Sequence, residues 1–120
     1  MTMISPNRFE ELSATAAGET TSVLNIASAP GLENTGRFFG LIYVESTGGA
    51  TGTVQVQVRP KGSTSIVGWI EALDQDIEIT SSVTSYVADY VAMRGMECRG
   101  IVKTHSGTGT INIRVDLGIS

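Results

Sequence analysis

Apolar side chains recur at every second position in short stretches along the chain. The clearest stretch is Thr53–Arg59, in which Val54, Val56 and Val58 alternate with polar residues. A period of two is that of a β-strand with one buried and one solvent-facing side. The other apolar runs, each bounded by turn-forming residues, are Thr20–Ile26, Arg37–Glu45, Val67–Leu73, Asp76–Thr80, Ser85–Met93, Met96–Thr104 and Thr110–Ile119. About eight strands at such even spacing predict an all-β fold, an antiparallel β-sandwich of jelly-roll-like form.

Turn signals between the runs predict how neighbouring strands connect. The run that begins at Met96 and the run that ends near Val115 are joined by Ser106–Gly109, a tight connection that predicts a β-hairpin. The glycine-rich segment Gly48–Gly52 lacks the lysine of a phosphate-binding loop and is also predicted to be a hairpin loop. In the last run, alternation predicts that one set of side chains shares one side: Ile111, Ile113, Val115, Leu117 and Ile119.

Residues 1–18 precede the first apolar run and differ from it in character, being rich in alanine and threonine. Pro6 suits the first position of a helix, and the acidic residues Glu10 and Glu11 suit its first turn. This segment is therefore predicted to be an N-terminal arm or a short helix. The β-sandwich domain is predicted to span residues 19–120.

Composition supports a single β-domain and narrows the range of partners. Of 120 residues, 41% are hydrophobic and 17% are charged, which is too apolar for a disordered chain. The net charge of −4 argues against nucleic acid or an anionic membrane as the main partner. No stretch has the length of a membrane span or the pattern of a secretory signal, so the product is expected to be soluble and made in a cytoplasm.

Three acids at alternating positions, Asp74, Asp76 and Glu78, match the start of a calcium-binding loop. The pattern then fails, because Ile79 stands where glycine is required and Ser85 where the bidentate glutamate is required. Acids at alternate positions of a strand also share one outer side, which is an ordinary solvated surface. The interpretation favoured here is the solvated surface, with no metal and no cofactor.

The chain has one cysteine, Cys98, and one histidine, His105, which together could form a nucleophile–base pair. They lie an odd number of positions apart on a predicted strand and its edge, so they are expected to point to opposite sides. Cys98 is interpreted as a small core residue and His105 as a loop residue. No catalytic residue is predicted, and the protein is not expected to be an enzyme.

Trp69 is the single tryptophan, and it either fills the gap between two sheets or anchors a binding surface. The core interpretation is favoured. The chain has six arginines and only two lysines, which is an unusual ratio. Arginine is enriched at protein interfaces. The alternative is that these arginines simply occupy the solvated outer positions of strands. The residues predicted as interface candidates are Arg8, Phe9, Arg37, Arg59, Trp69, Arg94, Arg99 and Arg114.

Three segments of the chain, taken in order, form one sequence pattern: Gly52–Gly62, Trp69–Ile70 and Arg99–Val115. A Gly-Thr-Val strand is followed by a glycine turn and a tryptophan strand, and a final hairpin turns through Ser-Gly-Thr. In these features roughly residues 37–119 resemble the small β-sandwich virion proteins of tailed bacteriophages. The chain departs from many members at Lys61–Ser63, where Asp-Gly is common.

The resemblance implies a structural role in a phage particle. Such domains act as head decoration (cement) proteins or as parts of tail and fibre assemblies. The protein is therefore expected to reside on the capsid surface after synthesis in the host cytoplasm, to bind the major capsid protein or other virion proteins, and to form a homo-oligomer, either a trimer or a dimer. A tail- or fibre-associated module is one alternative, and a carbohydrate-binding module that uses Trp69 is another.

Overall fold

The computed structural model describes residues 8–25, 37–63, 68–93 and 95–117. Strands and their connections make up this part of the chain, and no helix in it has the length and apolar character of a membrane span. In chain order the strands are β1 (Arg8–Ala14), β2 (Leu24–Asn25), β3 (Arg37–Thr47), β4 (Thr51–Pro60), β5 (Ile70–Glu71), β6 (Ile77–Ile79), β7 (Ser85–Met93), β8 (Met96–Ser106) and β9 (Thr110–Leu117).

These strands form two antiparallel sheets that pack face to face. The first sheet has the order β1-β9-β3-β7, and the second has β2-β8-β4-β5, with β6 also paired to β4. β6 pairs with Gly52–Val54 and β5 with Gln57–Val58, so they are two halves of one interrupted strand. If β5 and β6 are counted as one strand, eight strands form two four-stranded sheets. This is the arrangement of a jelly roll. The predicted antiparallel sandwich is confirmed.

The predicted hairpin between Met96 and Val115 is wrong. β8 pairs with β4 and β2 in the second sheet, whereas β9 pairs with β3 and β1 in the first. The short connection after Ser106 therefore crosses from one sheet to the other. The predicted hairpin loop at Gly48–Gly52 is wrong for the same reason, because β3 and β4 lie in different sheets. Packed sheets lie about 10 Å apart, so a connection of a few residues can span them as easily as it can close a hairpin.

The short-helix alternative for the N-terminal segment is wrong over residues 8–14. Residues 8–14 form β1, an edge strand of the first sheet that pairs with β9 from Arg8↔Leu117 to Ala14↔Ile111. The segment is neither helical nor separate from the sandwich over these residues, while Pro6 lies outside the described residues. Leu12 packs against the core and Ala14 is fully buried, so burial of these side chains outweighs the weak local helix signals.

The core lies between the inner faces of the two sheets. The alternation predicted most of it: the valines of β4 are buried, as are Ile77, Ile79 and the apolar residues of β9 as far as Leu117. Ile119 lies outside the described residues. Because inner positions alternate with outer ones, the side chains available for function lie on the two outer faces, at the edges and in the connections.

Candidate interaction surfaces

An arginine–tryptophan cluster, formed by Arg59, Trp69 and Arg99, lies on the outer face of the second sheet. Arg59 is on β4, Arg99 is on the adjacent strand β8, and Trp69 directly precedes β5 on the other side of β4. The guanidinium carbons of Arg59 and Arg99 lie over the indole ring, 4.2 Å and 4.3 Å from its centroid. Both are within the range of a cation–π interaction.

Hydrogen bonds to neighbouring side chains hold both guanidiniums of the cluster in place. Nε of Arg59 donates to Oε2 of Glu97 at 2.7 Å, which is also an ion pair, and Nε of Arg99 donates to Oε1 of Gln57 at 2.8 Å. Burial lowers the pKa of Arg99, and the positive charge of Arg59 lowers it further. The two cations of the cluster therefore have one anionic neighbour, Glu97, which pairs with Arg59. Arg99 is the cation that lacks a carboxylate partner among the described residues.

The core interpretation of Trp69 is wrong. The residue is half-buried against the two arginines on the outer side of β4, whereas the inner side of β4 is filled by valines. Two guanidiniums over the indole ring cover part of it on the outer face, and a lone aromatic residue in an apolar run does not indicate which side of the sheet it occupies.

A second surface, the apolar face, lies on the outer side of the first sheet. Its members are between 39% and 53% exposed, and they are Phe9, Leu41, Tyr43, Val87 and Val91. The register Tyr43↔Val87 and the alternation along β3 and β7 place Leu41, Tyr43, Val87 and Val91 on one side of the sheet. Phe9 lies on the same side, because Phe9 and Leu41 are both opposite Asp116 of β9. The outer face of a sandwich is ordinarily polar, so five exposed apolar side chains on one outer face make it a candidate contact surface. Charged residues divide this face: Asp89 stands between Val87 and Val91 on β7, and β9, with Arg114 and Asp116, lies between Phe9 and the other members.

The margin of the apolar face carries another arginine–aromatic pair. The guanidinium carbon of Arg114 lies 3.9 Å from the ring centroid of Phe9. Arg114 also pairs with Asp116 at 3.2 Å and with Glu11 at 4.0 Å. Apolar residues bordered by an arginine and acids have the layout of a protein interface, which has an apolar centre and a polar rim.

The three acids of the calcium-like pattern are not brought together. Among the described residues no group of three potential metal ligands converges, and Asp76 is engaged instead with Lys103 at 3.1 Å and with Nε2 of Gln55 at 3.0 Å. Burial alone would raise the pKa of Asp76, but the hydrogen bonds from Gln55 and Lys103 and the charge of Lys103 outweigh it and lower this pKa. The carboxylate therefore fastens the connection between β5 and β6 to the sheet.

The lowered pKa of Asp76 predicts a specific dependence of stability on pH. The carboxylate stabilises the fold above the unfolded pKa, near 3.8, and this contribution is lost as pH falls through the folded value. We expect wild type to exceed Asp76→Asn in unfolding free energy by more at pH 6 than at pH 3, as measured by urea unfolding. These pH values are about two units above and about one unit below a normal aspartate pKa. The control is Asp74→Asn, an exposed acid. An Asp76→Asn profile parallel to that of wild type would contradict the assignment.

Cys98 and His105 do not form a pair. Cys98 is fully buried, as predicted, with its sulfur 3.7 Å from the hydroxyl of Tyr90. His105 lies near the end of β8 rather than in a loop, and Nε2 of its ring is 3.1 Å from the carbonyl oxygen of Gly109. Seven strand residues separate the two side chains by roughly 23 Å.

The structure thus brings together five of the predicted interface candidates in two groups: Arg59, Arg99 and Trp69 on one outer face, Phe9 and Arg114 on the other. Arg8 and Arg37 have described backbones, in β1 and β3, but their side chains lie outside the description, as does all of Arg94. Sequence reasoning missed the other members of the apolar face, Leu41, Tyr43, Val87 and Val91. The available signal was the near-continuous apolar character of the runs that became β3 and β7.

No protein-family model matches the sequence, and no curated protein sequence matches it either. Similar solved structures include the nucleoplasmin-like N-terminal domain of Drosophila FKBP39, with a TM-score of 0.44 and 10% identity over 99% of this chain and 96% of that one. A chain of the Bacillus endospore appendages, which are disulfide-linked pili, has a TM-score of 0.41 and 16% identity over 95% and 86%. The N-terminal cellulose-binding domain of Cellulomonas fimi β-1,4-glucanase C has a TM-score of 0.42 and 10% identity over 99% and 95%. Similarities this low carry no argument about function.

Proposed function

We propose that the protein is a virion structural protein of a tailed bacteriophage, a capsid decoration protein that binds and stabilises the head shell. The observation that carries this proposal is that exposed apolar residues and the arginine–tryptophan cluster occupy opposite outer faces of one small sandwich, where each could serve as a contact surface. A protein that joins neighbouring components of a shell needs two such surfaces. The resemblance of residues 37–119 to phage virion proteins supports the same assignment.

The apolar face is the surface that we assign to the shell. Its five apolar residues remain exposed although the inner faces of both sheets are filled, so they are not needed to complete the core. Burial of such side chains against a protein partner is favourable by about 25 cal/mol per Å² of apolar surface. An isolated chain gains nothing from exposing them, whereas a multicopy assembly gains this energy at every copy.

The arginine–tryptophan cluster is the surface that we assign to the next component of the assembly. Arginine and tryptophan are the residue types that most often dominate binding energy at protein interfaces. In this protein they are already oriented by hydrogen bonds to Gln57 and Glu97, so little side-chain entropy is lost when a partner binds. A small homo-oligomer, a dimer or trimer, would present several copies of each surface at once and bind by avidity.

Val87→Lys tests the assignment of the apolar face. Val87 is 53% exposed on β7, the edge strand of the first sheet, directly opposite Tyr43. A lysine there places a charge where an apolar contact is proposed. We expect co-sedimentation with head shells, purified from phage that lack the protein, to weaken at least about tenfold, because an apolar contact is replaced by a desolvated charge.

The matched control for this experiment is Val23→Lys. Val23 is also exposed, at 41%, but it lies before β2 and outside the apolar face. We expect Val23→Lys to bind shells like wild type, with both variants showing the circular dichroism and melting temperature of wild type. Equal shell binding by Val87→Lys and wild type would remove the apolar face from the proposal, and failure of the wild-type protein to bind shells would overturn the proposed function.

A further inference from the structure

We infer that the arginine–tryptophan cluster is a binding site for a carboxylate of an acidic protein segment, with Arg99 as the residue that receives it. The inference rests on the proposed function, since it specifies the chemistry of the partner that the second surface would take. The inference depends on the arrangement of charges around the cluster and on which groups lie over the indole ring of Trp69.

The charges of the cluster are not balanced. Arg59 has the carboxylate of Glu97 at 2.7 Å, but Arg99 has only the neutral side-chain oxygen of Gln57 at 2.8 Å. Within the described part of the chain, no carboxylate lies within ion-pair distance of Arg99. Two guanidiniums against one indole ring repel each other, and an added anion relieves that repulsion.

The hydrogen bond to Gln57 also orients the guanidinium of Arg99. It uses Nε, so the two terminal nitrogens remain as a pair of parallel donors. That edge matches the two oxygens of a carboxylate and allows a bidentate, charge-assisted contact. Stacking on Trp69 fixes the plane of the guanidinium, which lowers the entropy that binding would cost.

The same geometry favours an acidic peptide over a sugar as the occupant. A sugar ring binds an aromatic side chain by lying flat on it, but the Trp69 ring already has the guanidiniums of Arg59 and Arg99 over it. In this arrangement the indole holds the arginines, and the arginines make the contact. Arginine and tryptophan are enriched at protein interfaces, and an unneutralised positive charge there is complementary to an acidic partner.

Trp69 makes this site directly measurable, because it is the only tryptophan in the chain and its emission reports on the cluster alone. The experiment is a fluorescence titration of the full chain with a capped hexaglutamate peptide, and with hexaglutamine as the uncharged control. We expect a saturable change in Trp69 emission with hexaglutamate that weakens as salt is raised, and no change with hexaglutamine.

Variants of the charged partners test the role of Arg99. We expect Arg99→Gln to weaken hexaglutamate binding about tenfold or more, and Arg99→Lys to restore part of it, since lysine keeps the charge but loses the paired donors. Glu97→Gln should act in the opposite direction and strengthen binding, because it removes the anion that competes for the cluster. A purely structural role for these side chains would not produce opposite signs.

The result that would overturn the inference is an unchanged Trp69 emission with hexaglutamate at millimolar concentration, or equal binding by Arg99→Gln and wild type. A polygalacturonate titration separates the carboxylate of a protein from that of an acidic polysaccharide. Binding of polygalacturonate without hexaglutamate would also overturn it. Shell binding is measured separately with Val87→Lys, so a negative titration leaves the proposed function standing.

Discussion

Replacing Gly40 by alanine is expected to destabilise the protein by about 2–4 kcal/mol, more than any exposed substitution. Gly40 on β3 lies directly opposite Tyr90 on β7, and the tyrosine ring covers the space where a side chain would be. A Cβ added at Gly40 would overlap the ring, with Cε1 only 2.6 Å away. The change should appear as a lower midpoint of urea unfolding, measured by circular dichroism.

Tyr90 cannot move aside at small cost, which is why the expected effect is large. Its side chain is 2% exposed, its hydroxyl donates to the carbonyl oxygen of Asp116 at 3.3 Å, and the sulfur of Cys98 lies 3.7 Å away. Burial is the main reason that the pKa of this tyrosine is raised, with the neighbouring Cys98 and Asp116 adding to it. A rotation that relieved the overlap would break these contacts and open a cavity.

The matched control for Gly40→Ala is Gly68→Ala. Gly68 has no atom within 4 Å of the position of an added Cβ and does not adopt a left-handed conformation. We expect Gly68→Ala to change the unfolding free energy by less than about 0.5 kcal/mol. An equal effect of the two substitutions would contradict the packing of Tyr90 over Gly40.

The second large effect is expected from Gln55→Met, which should cost about 2–4 kcal/mol of unfolding free energy. Gln55 is fully buried although it points to the outer side of β4, because the connection between β5 and β6 covers it. Its Oε1 accepts from the backbone nitrogens of Leu73 at 2.9 Å and Val56 at 3.0 Å, and its Nε2 donates to Asp76 at 3.0 Å. Methionine fills the same space but removes the acceptor of the Leu73 and Val56 backbone N–H groups, while Asp76 keeps Lys103 as its partner.

Gln75→Met is the control for this prediction, because Gln75 is an exposed glutamine in the same connection. We expect it to be neutral within about 0.5 kcal/mol in the same urea experiment. Hydrogen exchange gives an independent readout, since loss of the Gln55 contacts should speed exchange of the Leu73 amide specifically. A neutral Gln55→Met variant would show that the side chain does not hold the interrupted strand.

The period-two pattern predicted which side chains are inside more reliably than it predicted their neighbours. It correctly identified the buried valines of β4 and the buried aliphatic residues of β9. The pairing of β8 with β9 was predicted from the short connection Ser106–Gly109 and is wrong, because alternation does not identify the sheet to which a strand belongs and a short connection can also join two sheets. Strand partners depend on long-range packing that a single sequence does not encode locally.

Gln55 and Trp69 show the same difficulty at single positions. Alternation along β4 predicts that Gln55 lies on the outer, solvated side of the strand. The side chain does lie on the outer side, but it is buried because the connection between β5 and β6 covers it. Trp69 was placed in the core and lies on the outer face against Arg59 and Arg99. Both side chains owe their position to partners ten or more residues away, and such partners cannot be recognised by periodicity.

The candidate surfaces were predictable in composition but not in arrangement. The high ratio of arginine to lysine indicated an interface, and Arg59, Arg99 and Arg114 do contact aromatic rings. What could not be foreseen was their division between opposite faces of the sandwich, because that division follows from the sheet to which each strand belongs.

Quantitative mass spectrometry of phage particles purified from the producing culture tests the assembly role most directly. We predict that the protein co-purifies with intact heads, survives a high-salt wash, and is present at a constant copy number relative to the major capsid protein. Absence of the protein from the purified heads, with the protein abundant in the remaining lysate, would contradict a role as a capsid decoration protein.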